Sequence, residues 1–207
     1  MFNLEPLFKA LDPKFLDSLQ YFREAAKAGT ISSEHLQNIT KQIFGDTLCP
    51  DVGNRNAYEE FLSRPKNGIH LRLDGNNLKA INDQYGHPTG DEAIKTLFGI
   101  ARKAMDTSVG KANGKLFRIG GDEGHAFVPD YPSALKFVRA LRAGYEEHPP
   151  INGTHNVSAS VGIGHTPEHA DKALYEAKNA KNAKGYVPGT APTHVFSGIE
   201  GNQGHIL

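Results

Sequence analysis

The spacing of apolar residues predicts helices at the start of the chain. In residues 13–29 and again in residues 32–45, apolar side chains recur every three or four positions, which is typical of amphipathic helices. Ser32 or Ser33 is a suitable N-cap for the second of these helices. Helices of this kind at a chain start usually pack against the following domain or mediate dimerisation. The alternative is a separate sensory role. We therefore expect an N-terminal helical extension over residues 1–48.

After Asp51 the pattern changes, and short apolar strands alternate with helices. The predicted strands are 68–73, 115–119, 125–128 and 156–164, and the predicted helices are 56–63, 76–85, 89–107, 132–147 and 170–182. The two strands on either side of the run GGDEG form a predicted β-hairpin. This order predicts an α+β fold with a central, mostly antiparallel sheet flanked by helices, which we expect on one face.

The predicted α+β domain covers residues 49–187, and a Gly- and Pro-rich tail follows over residues 188–207. The tail contains one apolar run, THVF (193–196), which we expect to be an edge strand. We expect structural roles for two side chains. His125 should point outward from its strand, and Tyr175 should lie in the core.

Charge and cysteine content narrow the class of protein. Lys+Arg and Asp+Glu are equal at 23 each, so there is no overall attraction to a nucleic-acid polymer or an anionic membrane. The single cysteine, Cys49, excludes an intrachain disulfide and is typical of a reducing compartment. The chain shows no signal-like segment and no stretch of about 18 apolar residues, so we expect a cytoplasmic protein that is not membrane-bound.

A first group of polar residues lies where the first predicted strand ends. Asp74 follows the apolar run, and Gly75 begins a turn that leads into a helix. Backbone N–H groups at a helix start can bind phosphate, and a carboxylate at a strand end can meet a ligand at the sheet edge. The alternative is an ordinary Asp-Gly turn with an N-cap.

A second group lies at the tip of the predicted hairpin, where Asp122 and Glu123 follow two glycines. Glycines allow positive φ angles and close approach of a ligand. Adjacent acids repel each other unless a cation relieves the repulsion. If Asp74 lies beside Asp122, the oxygen-rich site suits Mg²⁺. The alternative is a solvated acidic turn.

Four segments occur in an order and spacing that resemble the GGDEF domain of diguanylate cyclases, over residues 46–187. They are DTLCPDVGNRNAYEEFL (46–62), DGNNLKAINDQYGHPTGD (74–91), RIGGDEG (118–124) and SVGIG followed by ADKALYEAK (160–178). The resemblance implies a nucleotidyl-cyclase palm that condenses two GTP molecules into cyclic di-GMP and releases pyrophosphate. It also implies dependence on Mg²⁺ (or Mn²⁺) and a homodimer for catalysis.

The resemblance carries roles onto particular residues. Asp74, Asp122 and Glu123 match the catalytic acids; the two aspartates and the backbone carbonyl of Gly75 match the metal ligands. Glu123 matches an acid that binds metal or activates the attacking 3′-hydroxyl. Four further residues match substrate-binding positions: Asn82 and Asp91 for guanine, Lys178 for the phosphates and Lys79 near the active site.

The chain departs from the family pattern in three places, and the changes at Gly124 and Asn182 keep other functions open. Gly124 replaces the aromatic residue of the signature, with Phe127 as a possible substitute, and Asn182 stands in a segment that lacks the family's phosphate-binding arginine. Residues 111–114 (KANG) lack the family's product-binding motif. The alternatives are a catalytically weak GTP-binding regulatory module and a related palm enzyme with another nucleotide product.

Overall fold

The computed structural model describes residues 24–25, 28–63, 67–183 and 192–206. The helices are α1 (Ser33–Phe44), α2 (Arg55–Leu62), α3 (Leu78–Tyr85), α4 (His87–Ser108), α5 (Tyr131–Glu147) and α6 (Pro167–Ala183). The strands are β1 (Ile69–Gly75), β2 (Lys115–Gly120), β3 (Glu123–Val128), β4 (Ala159–Gly164), β5 (His194–Ser197) and β6 (Gly204–His205). The helix predicted over residues 13–29 lies largely outside the described residues.

Local capping explains where several helices begin. The Ser32 hydroxyl accepts from the backbone N–H of His35 at the start of α1, and Asp130 accepts from that of Ser133 at the start of α5. Between α3 and α4 the chain turns at Gly86, whose φ of 83° is a left-handed value that favours glycine. The predicted break at this point is confirmed.

One six-stranded sheet forms the centre, in the order β2-β3-β1-β4-β5-β6. β1 pairs antiparallel with both β3 and β4, whereas β4 and β5 are parallel. The mostly antiparallel sheet is therefore confirmed. The prediction that the THVF strand lies at the edge is wrong, because β6 pairs with β5 on its outer side.

Helices cover both faces of the sheet, so the expectation of helices on one face is wrong. The side of Gly124 faces Phe98 on α4, whereas the side of Gly162 faces α6. A Cβ at Gly162 would lie 2.1 Å from the backbone nitrogen of Leu174, so α6 packs unusually close to β4. Close packing on this second face depends on glycines of β4, which the alternating pattern of a strand does not reveal.

The position of Tyr175 follows from the same packing. α6 turns its small residues, among them Ala170, Ala173 and Ala177, towards the sheet. Tyr175 lies on another side of the helix and is 64% exposed, so the prediction that it belongs to the core is wrong. Among the helices that the structure describes, none is long and apolar enough to cross a membrane.

Candidate functional site

The three predicted acids, Asp74, Asp122 and Glu123, lie together where β1 meets the β2–β3 hairpin, and we call this group the acidic turn. Asp74 and Glu123 are directly opposite each other in the antiparallel β1–β3 pair. The next residue of β1, Gly75, donates its backbone N–H to the carbonyl of Asp122 over 3.1 Å. Long-range strand pairing therefore joins two segments that lie about fifty residues apart in the sequence.

Two glycines make this close approach possible. A Cβ at Gly75 would lie 2.8 Å from the Cβ of Asp122, which is closer than real Cβ contacts come. Gly121, in the turn of the hairpin, has a φ of 44°, in the left-handed region that L side chains rarely adopt. The site therefore needs glycine at both positions for steric reasons.

Asp122 is the acid whose protonation is most strongly perturbed. It borders a cavity of about 20 Å³ whose lining is largely apolar and includes Leu78, Ile94 and Leu97. Burial, and after it the negative charge of Asp74, raise the pKa of Asp122 from 3.8 to about 6. The carboxylates of Asp74 and Asp122 therefore repel each other, and a nearby cation would reduce this repulsion.

A lysine from the second face of the sheet contacts the first acid. The Lys178 ammonium on α6 lies 2.6 Å from Oδ2 of Asp74, whose side chain is only 15% exposed. An ion pair therefore joins α6 to the acidic turn. The phosphate contact expected of Lys178 stays a prediction.

The donor set at the turn fits a divalent cation. Asp74, Asp122, Glu123 and the carbonyl of Gly75 offer only oxygen atoms, the ligands that Mg²⁺ prefers. The mutual repulsion of Asp74 and Asp122, seen in the raised pKa of Asp122, is what a bound cation would offset. Across the described residues, no three His, Cys, Asp or Glu side chains already converge in a metal-binding arrangement. The assignment of these ligands stays a prediction.

The two predicted guanine-binding residues lie at the α3–α4 junction. Asn82 on α3 packs against Gly90 so closely that a Cβ at position 90 would lie 1.8 Å from the Asn82 side-chain oxygen. That buried oxygen has no hydrogen-bond partner. Asp91 follows Gly90 and is exposed. A buried acceptor without a partner beside an exposed carboxylate is an arrangement that can bind the polar edge of a base.

Lys79, the remaining predicted substrate-binding residue, forms an ion pair within its own helix. Its ammonium lies 2.7 Å from Oδ2 of Asp83, one turn further along α3, and the lysine side chain is 88% exposed. The described contact directs Lys79 along its own helix. Its role near the active site stays a prediction.

Sequence reasoning missed an ion pair that supports the hairpin. Nη1 of Arg118 lies 3.1 and 3.0 Å from the two carboxylate oxygens of Asp46, and its Nε donates to the carbonyl of Gly121 over 2.7 Å. Asp46 also accepts from the backbone N–H of Leu48 and Cys49. The available signal was that Asp46 and Arg118 each begin a family-like segment.

The missing aromatic of the signature has a counterpart elsewhere. A Cβ at the buried Gly124 would lie 2.8 Å from the ring of Phe98, a fully buried residue of α4. Phe98 therefore occupies the space beside position 124. Phe127, considered as a substitute from the sequence, lies on the opposite face and packs with Phe61 and Phe117.

His125 is not the outward-facing residue that the sequence predicted. Its ring is fully buried, hydrogen-bonded to His70 (3.0 Å between Nε2 and Nδ1) and packed on Tyr58 with 4.7 Å between ring centroids. Burial, reinforced by His70 and Arg72, holds the pKa of His125 well below its ordinary value, which favours the neutral ring. The prediction failed because α2, bearing Tyr58, covers a face of the hairpin that we expected to be open.

The fold and the acidic turn together define an α+β domain that brings three acids together at the end of a central strand. Residues 53–184 match the family described as diguanylate cyclase, GGDEF domain, and this chain belongs to that family.

Curated relatives support the same assignment. The chain is 27% identical over 167 residues to the probable diguanylate cyclase DgcI of Escherichia coli, covering 73% of this chain and 34% of DgcI. It is 27% identical over 190 residues to the diguanylate cyclase DgcS of Shewanella oneidensis, covering 83% of this chain and 62% of DgcS. The chain thus spans between about a third and somewhat under two thirds of the length of these relatives.

Solved structures share the fold. The coiled coil and GGDEF domain of DgcB from Caulobacter crescentus, solved in complex with c-di-GMP, matches with a TM-score of 0.58 and 19% identity, over 85% of this chain and 98% of that one. The diguanylate cyclase SiaD of Pseudomonas aeruginosa, solved with its activator SiaC, matches with a TM-score of 0.58 and 20% identity, over 89% and 74%. At these identities the likeness concerns the fold alone.

Proposed function

We propose that this protein is a diguanylate cyclase, which condenses two GTP molecules into cyclic di-GMP and releases two pyrophosphates. The observation that carries the proposal is the meeting of Asp74, Asp122 and Glu123 at the end of β1, with Lys178 beside Asp74. Membership of the GGDEF family and the curated diguanylate cyclases among its relatives support it. The single, buried Cys49 is consistent with the cytoplasmic location that we also propose.

In the proposed reaction, the 3′-oxygen of one GTP forms a bond to the α-phosphorus of the other. The bond between that phosphorus and the bridging oxygen of pyrophosphate breaks, and pyrophosphate leaves. Glu123 is half exposed beside the turn and takes the proton of the 3′-hydroxyl in this proposal. A second, identical step closes the ring.

Asp74, Asp122, Glu123 and the Gly75 carbonyl would hold Mg²⁺ (or Mn²⁺) in this proposal. The bound ion would supply charge stabilisation for the attacking and leaving oxygens. Lys178, which can exchange Asp74 for a phosphate oxygen, would add a further positive charge.

Guanine is the favoured base. Asn82 offers an unpartnered buried oxygen, and Asp91 an exposed carboxylate that can accept from the N1–H and N2–H₂ groups of guanine. Adenine lacks that pair of donors, so it would leave these acceptors unpaired and bind more weakly.

One domain offers one such site, whereas the reaction joins two nucleotides. The proposal therefore includes a homodimer in which two sites face each other, and a symmetric pair is the simplest closed arrangement.

The test is to incubate the purified protein with GTP, ATP and Mg²⁺ and to identify the products by mass. We expect cyclic di-GMP from GTP, and its loss in Asp122→Ala. Glu92→Gln is a matched control, since Glu92 is an exposed acid on α4 that pairs with Lys95. Absence of any GTP-derived product from the wild-type protein would refute the proposal.

A second candidate is a regulatory module that binds GTP but turns it over weakly. It is favoured by Asn182, which stands in a segment without the arginine expected there, and by the ion pair that occupies Asp74. GTP binding without turnover in the same assay would establish this candidate. A different dinucleotide or a monophosphate would instead indicate a related palm enzyme.

A further inference from the structure

Arg72 is a charged residue whose side chain is largely buried, and none of the roles described above accounts for its position. It lies in the middle of β1, two residues before Asp74, and its side chain is only 15% exposed. Placing a guanidinium in such a position is costly unless acids compensate its charge. The partners of Arg72 therefore indicate what it is for.

The first partner comes from α6. Nε of Arg72 donates to Oδ1 of Asp171 over 2.5 Å. Arg72 is directly opposite Gly162 on β4, and the missing side chain at Gly162 is what lets α6 approach the sheet closely enough for this contact. Asp171 thus fixes one end of the guanidinium.

The second partner is the acidic turn. Nη2 of Arg72 lies 3.9 Å from Oε2 of Glu123. Arg72 is opposite His125 on β3, and Glu123 lies two residues earlier on the same face, so the contact is a diagonal cross-strand pair. Glu123 itself is 51% exposed, so burial alone does not fix its carboxylate.

We propose that Arg72 is a positioning residue for Glu123: held by Asp171, it fixes the carboxylate over the acidic turn and offsets part of the negative charge there. The proposal rests on the diguanylate cyclase function proposed above. A planar guanidinium can contact two acids at once in a fixed geometry, whereas the rotatable donors of an ammonium do not fix such a geometry.

The proposal has two consequences with different signs. Without Arg72, Glu123 is less well placed and turnover falls, because misplacement of a reacting group by about 1 Å can cost up to about a hundredfold. A divalent cation, however, binds the acids more tightly, because a positive charge that competes with it has been removed. A variant that had merely lost structure would show both slower turnover and weaker cation binding.

The test compares Arg72→Gln, Arg72→Lys and Asp171→Asn with the wild-type chain. Initial rates against GTP concentration give kcat and KM, and binding of Mn²⁺ to the nucleotide-free protein is followed by electron paramagnetic resonance. Arg142→Gln is the control, because Arg142 forms a comparable 2.6 Å ion pair with Glu146 on the exposed side of α5. Thermal melting of each variant checks that it is folded.

For Arg72→Gln we expect kcat to fall at least about tenfold with KM changed less than about threefold. Mn²⁺ should bind about three to ten times more tightly. Arg72→Lys should bind Mn²⁺ like the wild type yet recover turnover only in part. Asp171→Asn should lower kcat by less, and adding it to Arg72→Gln should cost nothing further, since the two residues act as one unit.

Wild-type kcat in Arg72→Gln, or weaker Mn²⁺ binding in that variant, would overturn the proposal while the cyclase function stands. Absence of GTP turnover in the wild-type chain would instead refute the cyclase function. The Mn²⁺ titration needs no turnover, so in that case unchanged binding in Arg72→Gln would show that Arg72 does not act on the acids at all.

Discussion

Replacing Asp122 by Asn should abolish turnover and at the same time stabilise the fold. Burial and the nearby Asp74 raise the pKa of Asp122 from 3.8 to about 6, so at neutral pH the folded protein carries a carboxylate in an unfavourable place. Asn has nearly the same shape and no charge. The change therefore removes the electrostatic conflict together with the proposed cation ligand.

The expected gain can be worked out from that pKa. A rise from 3.8 to about 6 corresponds to at most about 3 kcal/mol of unfolding free energy. Because Asp122 remains partly accessible to water, solvent screening reduces this, and we expect about 1.5 kcal/mol. For a chain of this size the melting temperature should rise by about 3–6 °C.

The sign of the pH dependence follows from linkage. Between about pH 4 and about pH 6 the folded wild-type protein retains a proton on Asp122 that the unfolded chain has lost, so its stability falls as the pH rises. The advantage of Asp122→Asn should therefore be near zero at about pH 4 and complete above about pH 7.

The assay is urea unfolding of both proteins across this pH range, with a chelator present so that no divalent cation contributes. Asp51→Asn, at an exposed loop position, is the control, and its effect should stay within about 0.5 kcal/mol. The reasoning about Asp122 fails if Asp122→Asn is less stable than the wild type at neutral pH, or if its advantage does not change with pH.

Three other substitutions test the packing around the site. Gly124→Phe should lower the unfolding free energy, measured by urea unfolding, by about 2 kcal/mol or more, because Phe98 fills the space beside position 124. Adding Phe98→Ala should restore part of that loss, and full stability of the single variant would contradict the reasoning. Arg118→Gln should cost about 1–3 kcal/mol, since it leaves the largely buried Asp46 without its charged partner, whereas a loss below about 0.5 kcal/mol would show the pair to be incidental. Gly90→Ala should displace the Asn82 amide and weaken GTP binding about tenfold in calorimetry, with unchanged affinity as the contrary result.

The order of helices and strands could be predicted from the sequence because it depends on local chemistry. Periodic apolar residues, the caps Ser32 and Asp130, and the break at Gly86 act within a few positions of the chain. The acids of the site could be predicted for a related reason: Asp74 lies at a strand end and Asp122 at a hairpin tip, and both positions are recognisable from short segments. The family-like motifs then indicated that these segments belong together.

The errors and omissions concern contacts between distant segments. Whether His125 is buried depends on α2 lying over the hairpin, and whether Tyr175 is exposed depends on α6 turning its alanines towards the glycines of β4. The partners of Arg72 are likewise supplied by another strand and another helix. The identity of the acids can thus be predicted from the sequence, whereas their pKa values, restraints and neighbours depend on packing across the sheet. Packing brings together side chains that are fifty to a hundred positions apart, and no local pattern encodes such pairs.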